Sequence, residues 1–237
     1  MTAHSHHLDL MGITTWKRRD LPGESEGNME TENDSARIPV TDSVQSSSNL
    51  DELRLEVSAC TRCALNETRT QTVFGTGNPN ASVMIIGEAP GADEDRLGEP
   101  FVGRAGQLLN AMLAAIGIGR EDVYIVNILK CRPPRNRDPE STEVEACSPF
   151  LHRQIEWVDP SLIVAVGRVA AQTLLQSTTP IGRLRGRPHQ YRERSLLVTY
   201  HPAYLLRSPG EKRKAWDDLK QIRTHLRADS VSSGANP

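Results

Sequence analysis

The sequence predicts a three-layer α/β/α sandwich around a central four-stranded, mainly parallel sheet. Two observations support this fold class: short apolar runs rich in β-branched residues recur along the chain, and helical patterns lie between them. Continuous apolar runs are typical of strands buried on both faces, and alternation of strands with helices favours a parallel sheet. The predicted strands are SVMIIG (82–87), DVYIVNI (122–128), SLIVAVG (161–167) and SLLVTY (195–200).

The segments between the strands carry apolar residues at helical spacing. Residues 103–117 have apolar side chains at positions 108, 109, 112, 113 and 116, and residues 142–158 and 167–176 also predict helices. A further helix is expected to begin at Asn49–Asp51 and to carry the first two cysteines. Ligand sites in such folds lie at the carboxyl ends of the strands, so functional side chains are expected there.

Composition divides the chain into a domain over residues 50–228 and two outer regions. Residues 20–49 are rich in Ser, Glu and Asn, with almost no large apolar side chains, and predict a disordered linker; residues 229–237 predict a similar tail. Ahead of the linker, residues 1–19 form a short apolar and basic segment. This segment is either a terminal helix resting on the domain or a tethered docking peptide.

Composition and charge also limit the class of protein. The chain of 237 residues has 28 Lys+Arg against 30 Asp+Glu, and no apolar run approaches the roughly 18 residues of a membrane helix. The N-terminus lacks the pattern of a secretory signal, so a soluble cytoplasmic protein is expected. Residues 183–227 carry 12 Lys+Arg against 4 Asp+Glu, which suits either contact with an anionic polymer or a solvated helix surface.

The four cysteines all lie inside the predicted domain, as a C-x-x-C pair (Cys60 and Cys63) followed by Cys131 and Cys147. Without an export signal they should be reduced thiols or metal ligands. Thiolates suit zinc or an iron–sulfur cluster. One close pair with two distant single cysteines favours a cluster, while zinc and unligated core cysteines stay open as alternatives.

The ends of the predicted strands carry side chains that could perform chemistry. The loop 87–95 lacks the G-x-G-x-x-G and P-loop patterns and is acidic, which disfavours a nucleotide cofactor. Taken singly, Phe101 and His201 are each explained by a structural role. Asn127, inside an apolar strand, must find hydrogen bonds if it is buried.

Taken together, these motifs closely resemble the family 4 uracil-DNA glycosylases of bacteria and archaea. The resemblance covers about residues 50–225 and rests on GEAPGADEDRLGEPFVGRAGQLL, VNILKCRPPRNRDP and HPAYLLR, with Cys60, Cys63, Cys131 and Cys147. It implies a bacterial repair enzyme that hydrolyses the N-glycosidic bond of deoxyuridine in DNA, whether single- or double-stranded. A monomer in the cytoplasm is expected by default. It also implies one structural [4Fe–4S] cluster held by the four cysteines.

The resemblance implies roles for residues at the strand ends. Phe101 would stack on a flipped uracil, Asn127 would read its Watson–Crick edge, and a neutral His201 would donate to O2 as the base departs. The uracil pocket is expected to comprise Gly87, Glu88, Ala89, Phe101, Asn127 and His201.

Activation of the attacking water is the least determined part of the expected mechanism. Where the first-described family of these enzymes has Asp and Tyr, this loop has Ala89 and Gly91. The water therefore needs another group to orient it, with Glu88 the first candidate and Glu94 the second. No lysine of the motifs is expected to form a Schiff base, so the sequence predicts a monofunctional glycosylase.

DNA contacts are expected from the basic part of the chain. The segment after the last strand would enter the minor groove, with a leucine filling the vacated space. Further arginines would meet phosphates, unless they lie on a solvated loop. The predicted DNA-binding residues are Tyr204, Leu205, Leu206, Arg207, Arg183, Arg185 and Arg187.

Three alternatives keep a place beside this prediction. One is a relative that becomes covalently trapped on uracil-DNA, but it has Gln in place of Ala89 and an inserted basic loop that is absent after Cys131. Another is a non-catalytic nucleic-acid-binding scaffold, which would not need Glu88, Asn127 and His201. The third is a neighbouring glycosylase family with wider substrate choice.

Residues 8–20 suggest a separate partner. Their apolar residues, ending in Trp16 and followed by three basic residues, loosely resemble the N-terminal segment of the psi subunit of the bacterial clamp loader. This resemblance implies a contact with the replisome or its clamp loader.

Overall fold

The computed structural model describes residues 43–233 and has the predicted three-layer α/β/α architecture. Its central sheet contains the four predicted strands, which are β2 (Val83–Gly87), β3 (Tyr124–Asn127), β4 (Leu162–Val166) and β6 (Arg194–Thr199). They run parallel in the order β3-β2-β4-β6.

The described sheet has six strands rather than the four predicted. The additional strands, β1 (Thr76–Gly77) and β5 (His189–Tyr191), pair antiparallel with β3 and β6 at the two edges. Both are short, and neither is a continuous apolar run, because their side chains are partly or fully exposed. The hydrophobic pattern therefore could not reveal them.

Helices cover both faces of the sheet. On one face lie α1 (Ser43–Ser58), α4 (Ser141–Val158) and α5 (Arg168–Leu175), and on the other α3 (Arg104–Ala115), α7 (Pro202–Arg207) and α8 (Lys212–Ser233). Short helices α2 (Ala92–Leu97) and α6 (Ile181–Leu184) complete the described set, with 3-10 turns at Ala64–Glu67, Arg120–Asp122, Pro134–Asn136 and Pro209–Glu211. None of the described helices is long and apolar enough to cross a membrane.

The strands are apolar at every position because both of their faces are buried. Met84 and Ile86 belong to the core beneath α1, α4 and α5, whereas Val83 and Ile85 belong to the core beneath α3, α7 and α8. Successive strand residues point to opposite faces, so two cores require a continuous apolar run. The sheet is thereby a rigid base whose carboxyl ends present the polar residues.

The ends of two helices differ from the sequence prediction. Helix α1 begins at Ser43, so residues 43–49 are helical rather than part of the linker, and it ends at Ser58, before Cys60 and Cys63. Helix α8 runs to Ser233, into the predicted tail. Once one part of a helix packs, each further residue adds a hydrogen bond at low cost. The segment 1–19, its clamp-loader contact through residues 8–20, and the rest of the linker and tail lie outside the described residues.

Candidate active site

A cavity of about 700 Å³ opens where the parallel strands end. Glu88 follows β2, Asn127 ends β3, Gly167 follows β4, and His201 lies shortly after β6. The convergence predicted from the sequence is therefore present. The cavity lining includes Glu88, Ala89, Glu94, Phe101, Asn127 and His201.

Gly87 lies next to the cavity, and its lack of a side chain lets Asn127 and Phe101 lie close to the backbone. In the parallel ladder Gly87 is paired with Asn127. A Cβ atom on Gly87 would lie 2.4 Å from Asn127 Oδ1 and 2.7 Å from Phe101 Cζ, so both side chains would have to move away from their present positions. The predicted pocket residue Gly87 thus contributes by having no side chain.

Asn127 presents a buried acceptor with no internal partner. The residue is 2% exposed, and its Oδ1 atom accepts no hydrogen bond from the described residues. A buried polar atom left unsatisfied costs about 1–3 kcal/mol, so a fold that retains one has a use for it. Because Asn127 lines the cavity, a ligand with a suitable N–H donor would satisfy it.

Phe101 is held in an unusual backbone conformation against the site. Its φ of +53° lies in the left-handed region, and its ring stacks on His201 with centroids 5.6 Å apart and planes at 30°. Arg120 donates to the carbonyl oxygens of Pro100 (2.6 Å) and Phe101 (3.3 Å). A Cβ atom on Gly106 would approach the Phe101 carbonyl oxygen to 1.8 Å, so a glycine is required there. The neighbouring residues therefore fix the aromatic ring in place.

Glu94, the second candidate for orienting the water, has a structural task. Its Oε1 accepts from the backbone N–H groups of Val102 (3.0 Å) and Gly103 (3.1 Å), and its Oε2 accepts from Gly91 N–H (3.1 Å). Both oxygens thereby tie the loop after β2 to the loop that carries Phe101. This arrangement favours Glu88 as the carboxylate that is free to act on a ligand.

Glu88 lies in an environment that keeps its carboxyl group partly protonated near neutrality. Burial raises its pKa to about 7, the Asp138 carboxylate adds to the rise, and the Arg168 guanidinium opposes it. Asp138 and Arg168 form an ion pair with each other, and both line the cavity. A carboxyl group that titrates near pH 7 at the wall of a cavity is typical of a general base.

His201 is neutral in the functional pH range, and one tautomer is favoured. Burial lowers its pKa to about 4; Arg207 lowers it further and Glu94 opposes the change. The Nδ1 atom accepts a hydrogen bond from the Ala203 backbone N–H at 3.1 Å. In a neutral imidazole the other nitrogen, Nε2, then carries the proton. His201 can therefore donate a hydrogen bond without carrying a charge.

The four cysteines line a second, much smaller cavity, of about 10 Å³, on the α1/α4 side of the sheet. Arg69 Nη1 donates to Cys131 Sγ at 3.1 Å, and the Lys130 backbone N–H donates to Cys147 Sγ at 3.3 Å. Within residues 43–233, no three His, Cys, Asp or Glu side chains converge as they stand on a point that could hold one metal ion. The cysteines thus share a cavity without converging on a single ion.

In the segment after β6, only some of the residues predicted to contact DNA are exposed. Tyr204, Leu206 and Arg207 are exposed, and Tyr204 and Arg207 line the cavity. Leu205 is 1% exposed and belongs to the core with α3 and α8, so its predicted DNA contact is wrong. Successive residues of a helix point in different directions, and α7 turns Leu205 inward and Leu206 outward.

Among the three predicted phosphate contacts, Arg185 has an internal partner instead. Its guanidinium donates to both carboxylate oxygens of Asp218, at 3.0 and 2.7 Å, and lies over the Tyr200 ring. Asp218 is 2% exposed and also accepts from the Thr199 hydroxyl at 2.9 Å. Arg183 and Arg187 are exposed and stay as predicted contacts.

The sequence reasoning missed Asp138 and Arg168 at the cavity wall. They are 30 residues apart and meet because the loop after β3 and the start of α5, after β4, reach the same edge of the sheet. The strand-end rule could have indicated Arg168, which directly follows Gly167. Asp138 carried no signal of its own, because it lies well beyond its strand.

Comparisons with known proteins identify the family to which the chain belongs. Residues 74–220 match the family model of the uracil DNA glycosylase superfamily, and the chain belongs to that superfamily. The chain is 45% identical over 182 residues to a type-4 uracil-DNA glycosylase of Archaeoglobus fulgidus, covering 73% of this chain and 92% of the relative. It is 41% identical over 177 residues to a type-4 enzyme of Thermotoga maritima, with the same coverage.

The chain is less similar to a uracil-DNA glycosylase of another type. The chain is 32% identical over 171 residues to a type-5 uracil-DNA glycosylase of Pyrobaculum aerophilum, covering 65% of this chain and 74% of the relative. The type-4 relatives are both more similar and more completely covered. Within the superfamily, the chain is a member of the type-4 family.

Proposed function

We propose that this chain is a monofunctional uracil-DNA glycosylase of base excision repair. It hydrolyses the N-glycosidic bond of deoxyuridine, releases uracil and leaves an abasic site. The observation that carries the proposal is the unpartnered Oδ1 of Asn127, buried beside Phe101 and His201 in one cavity. The membership of the type-4 family supports the same activity.

Uracil has the complementary groups for this cavity. A base within a duplex is out of reach, so the nucleotide must first be flipped out, and Phe101 then offers a stacking surface worth about 1–3 kcal/mol. Asn127 Oδ1 would accept from uracil N3–H, and its Nδ2 would donate to O4. Cytosine has an acceptor at N3 and a donor at C4, so both contacts would be lost and buried polar groups left unpaired.

In the bond-breaking step, His201 would act on the departing uracil and Glu88 on the attacking water. Negative charge gathers on the uracil as the glycosidic bond breaks, and a neutral His201 donating from Nε2 to O2 stabilises it. The sugar meanwhile becomes oxocarbenium-like, and ionised Glu88 would hold and polarise the attacking water.

The cavity supports hydrolysis rather than strand cleavage. A lyase step requires an amine that forms a Schiff base with the sugar, and no lysine is among the described residues that line this cavity. Lys130, inside the second motif, is buried and directs its Nζ to the Asn127 carbonyl oxygen at 2.7 Å. A monofunctional enzyme is therefore expected.

DNA would bind across the mouth of the cavity. Exposed Tyr204, Leu206 and Arg207 lie beside the opening, where Leu206 would fill the space left by the flipped base. Arg183 and Arg187 would contact phosphates outside it. Single- and double-stranded DNA are both accepted in this proposal, and the enzyme acts as a monomer in the bacterial cytoplasm.

The cysteine cavity would hold one [4Fe–4S] cluster through Cys60, Cys63, Cys131 and Cys147. Each thiolate of such a cluster binds a different iron, which fits cysteines that share a cavity without converging on one ion. Donors to sulfur from Arg69 and from the Lys130 backbone are of the kind that surround such clusters. Hydrolysis needs no electron, so the role is structural: the cluster would tie the turn after α1 to the loop after β3 and to α4.

The catalytic assignment is tested with Glu88→Gln, and with Glu121→Gln, which is exposed on a 3-10 turn outside the cavity, as its matched control. We expect Glu88→Gln to bind uracil-containing DNA but to release uracil at least about 100-fold more slowly, as the loss of a general base does. Glu121→Gln should match the wild type. An unchanged rate in Glu88→Gln would reject the role of Glu88, and wild-type protein with a full cluster but without uracil release would reject the function.

A further inference from the structure

Lys130 occupies a position between the two sites. It is 1% exposed, and it is among the largest side chains that are fully buried in the described chain. Its Nζ donates to the backbone carbonyl oxygen of Asn127 at 2.7 Å, while its backbone N–H donates to Cys147 Sγ at 3.3 Å. The same residue therefore contacts the base-reading strand and the wall of the cysteine cavity.

Among the described residues, no carboxylate forms an ion pair with the Lys130 ammonium group, and the described lining of the cysteine cavity contains no acidic side chain. Arg62 and Arg69 add positive charge there. A buried ammonium is costly unless a negative charge compensates for it. The cysteines are the groups in that lining that can supply negative charge, as thiolates.

The backbone between Asn127 and Lys130 is closely tied to the active-site loop. Ile128 N–H donates to Gly87 O at 2.9 Å, and Leu129 N–H donates to Glu88 O at 3.1 Å. The Lys130 ammonium then closes this turn by binding the Asn127 carbonyl. The orientation of the Asn127 peptide, and with it the direction of the Asn127 side chain, is therefore set jointly by the Gly87 carbonyl and by the Lys130 ammonium.

We propose that Lys130 is a positioning residue that couples the cysteine site to uracil recognition. The negative charge of the thiolate-bound cluster holds the Lys130 ammonium, and the ammonium fixes the Asn127 carbonyl so that the side-chain amide faces the flipped base. This inference rests on the proposed cluster and on the proposed glycosylase activity. It gives the cluster an effect on base recognition in addition to its structural role.

The test compares Lys130→Met, which removes the charge at similar length, with Lys130→Gln, which keeps an N–H donor. Arg62→Gln is the matched control, because it removes a positive group from the same cavity and has no hydrogen bond to Asn127 or to a cysteine sulfur. In each protein, iron and sulfide content, the cluster reduction potential, and kcat and KM for uracil release are measured. Lys220→Met on the exposed face of α8 controls for the loss of any lysine.

We expect Lys130→Met to load its cluster and to shift the reduction potential to more negative values, since a nearby positive charge favours the reduced state. Its kcat/KM per cluster should fall about 10- to 100-fold, as misplacement of a reading group does. Lys130→Gln should regain part of this loss but not the potential. Arg62→Gln should shift the potential and excise uracil at close to the wild-type rate. Wild-type kcat/KM per cluster in Lys130→Met, or an equal loss in Arg62→Gln, would overturn the proposal.

Hydrogen exchange of the wild type covers the case in which the variants do not fold. On removal of iron, we expect protection to fall in residues 124–130 more than in Leu162–Val166 of β4. An equal loss in both segments, or no loss in either, would overturn the coupling. A wild type that binds no iron, or that releases no uracil, would instead refute the proposals on which the inference rests.

Discussion

Among single residues, Glu88 has the environment that most clearly suits the proposed chemistry. Its carboxyl group is half-buried, and burial, with a smaller effect from Asp138, raises its pKa to about 7. The ionised form is the one that can polarise a water molecule, so its fraction grows as the pH rises through that value. His201, with a pKa of about 4, is already neutral in this range and adds no second transition.

The pH dependence of kcat/KM therefore reports Glu88. We expect it to rise with pH and to reach half its limit near pH 7, since kcat/KM follows ionisation of the free enzyme. Asp138→Asn removes a neighbouring negative charge, lowers the Glu88 pKa and moves the transition to lower pH. Arg168→Gln removes a positive charge and moves it to higher pH. Shifts in the same direction, or none in either variant, would contradict the assignment.

The other predicted pocket residues show what the sequence could and could not specify at this scale. Asn127, Phe101 and His201 were predictable because each directly follows or ends a buried strand, or forms part of a recognisable motif. The structural role of Glu94 was not, since it depends on backbone N–H groups of a loop whose path the sequence does not specify.

At the scale of elements, two adjacent leucines of helix α7 lie in different environments. Leu205 packs in the core against α3 and α8, and Leu206 is exposed beside the cavity mouth. A helix of six residues offers too few apolar positions to establish which face points inward. The sequence therefore could not distinguish the two leucines.

Alanine substitutions should distinguish the two leucines, because Leu205→Ala should lower stability and Leu206→Ala should lower activity. Leu205→Ala empties a core position and should lower the free energy of unfolding by about 2–5 kcal/mol, measured by chemical denaturation. Leu206→Ala should leave stability within about 0.5 kcal/mol of the wild type, and should slow uracil release from duplex DNA more than from single strands. The reverse pattern, with a stable Leu205→Ala and an unstable Leu206→Ala, would refute the packing of α7.

The elements that the sequence predicted best carry the apolar patterns that burial demands. The four parallel strands are apolar because both of their faces are buried, and helices α3, α4 and α5 repeat apolar residues at helical spacing because each buries one face against the sheet. The edge strands β1 and β5 depend on backbone pairing instead. Arg185 was misassigned for a related reason: its partner Asp218 is 33 residues away, and only the packing of α8 against the sheet brings them together.

In the molecule as a whole, the sheet supports two cavities, to which we assign different tasks. The active-site cavity lies at the carboxyl ends of the strands, and the cysteine cavity lies between the turn after α1, the loop after β3 and helix α4. The loop that leaves Cys131 carries Pro133, Arg137 and Asp138 to the wall of the active site. Loss of the proposed cluster should therefore weaken the domain as well as its catalysis.

Cys131→Ser tests this contribution, with Ala146→Ser in the same cavity as its control. We expect the iron content of Cys131→Ser to fall well below that of the wild type. If the cluster contributes about 4 kcal/mol, the melting temperature should fall by about 8–16 °C. Ala146→Ser should keep both iron and melting temperature. Full iron content and an unchanged melting temperature in Cys131→Ser would contradict the structural role.

The central claim is that the cavity at the strand ends excises uracil from DNA by hydrolysis alone. The most direct measurement incubates the purified full-length protein with an oligonucleotide that contains one deoxyuridine, alongside a matched thymidine oligonucleotide. Samples with and without alkali are then resolved on a denaturing gel. Strand cleavage only with uracil, and only after alkali, is the predicted result. Cleavage without alkali, a band that stays bound to protein after denaturation, or no cleavage by protein with its full complement of iron would contradict the account.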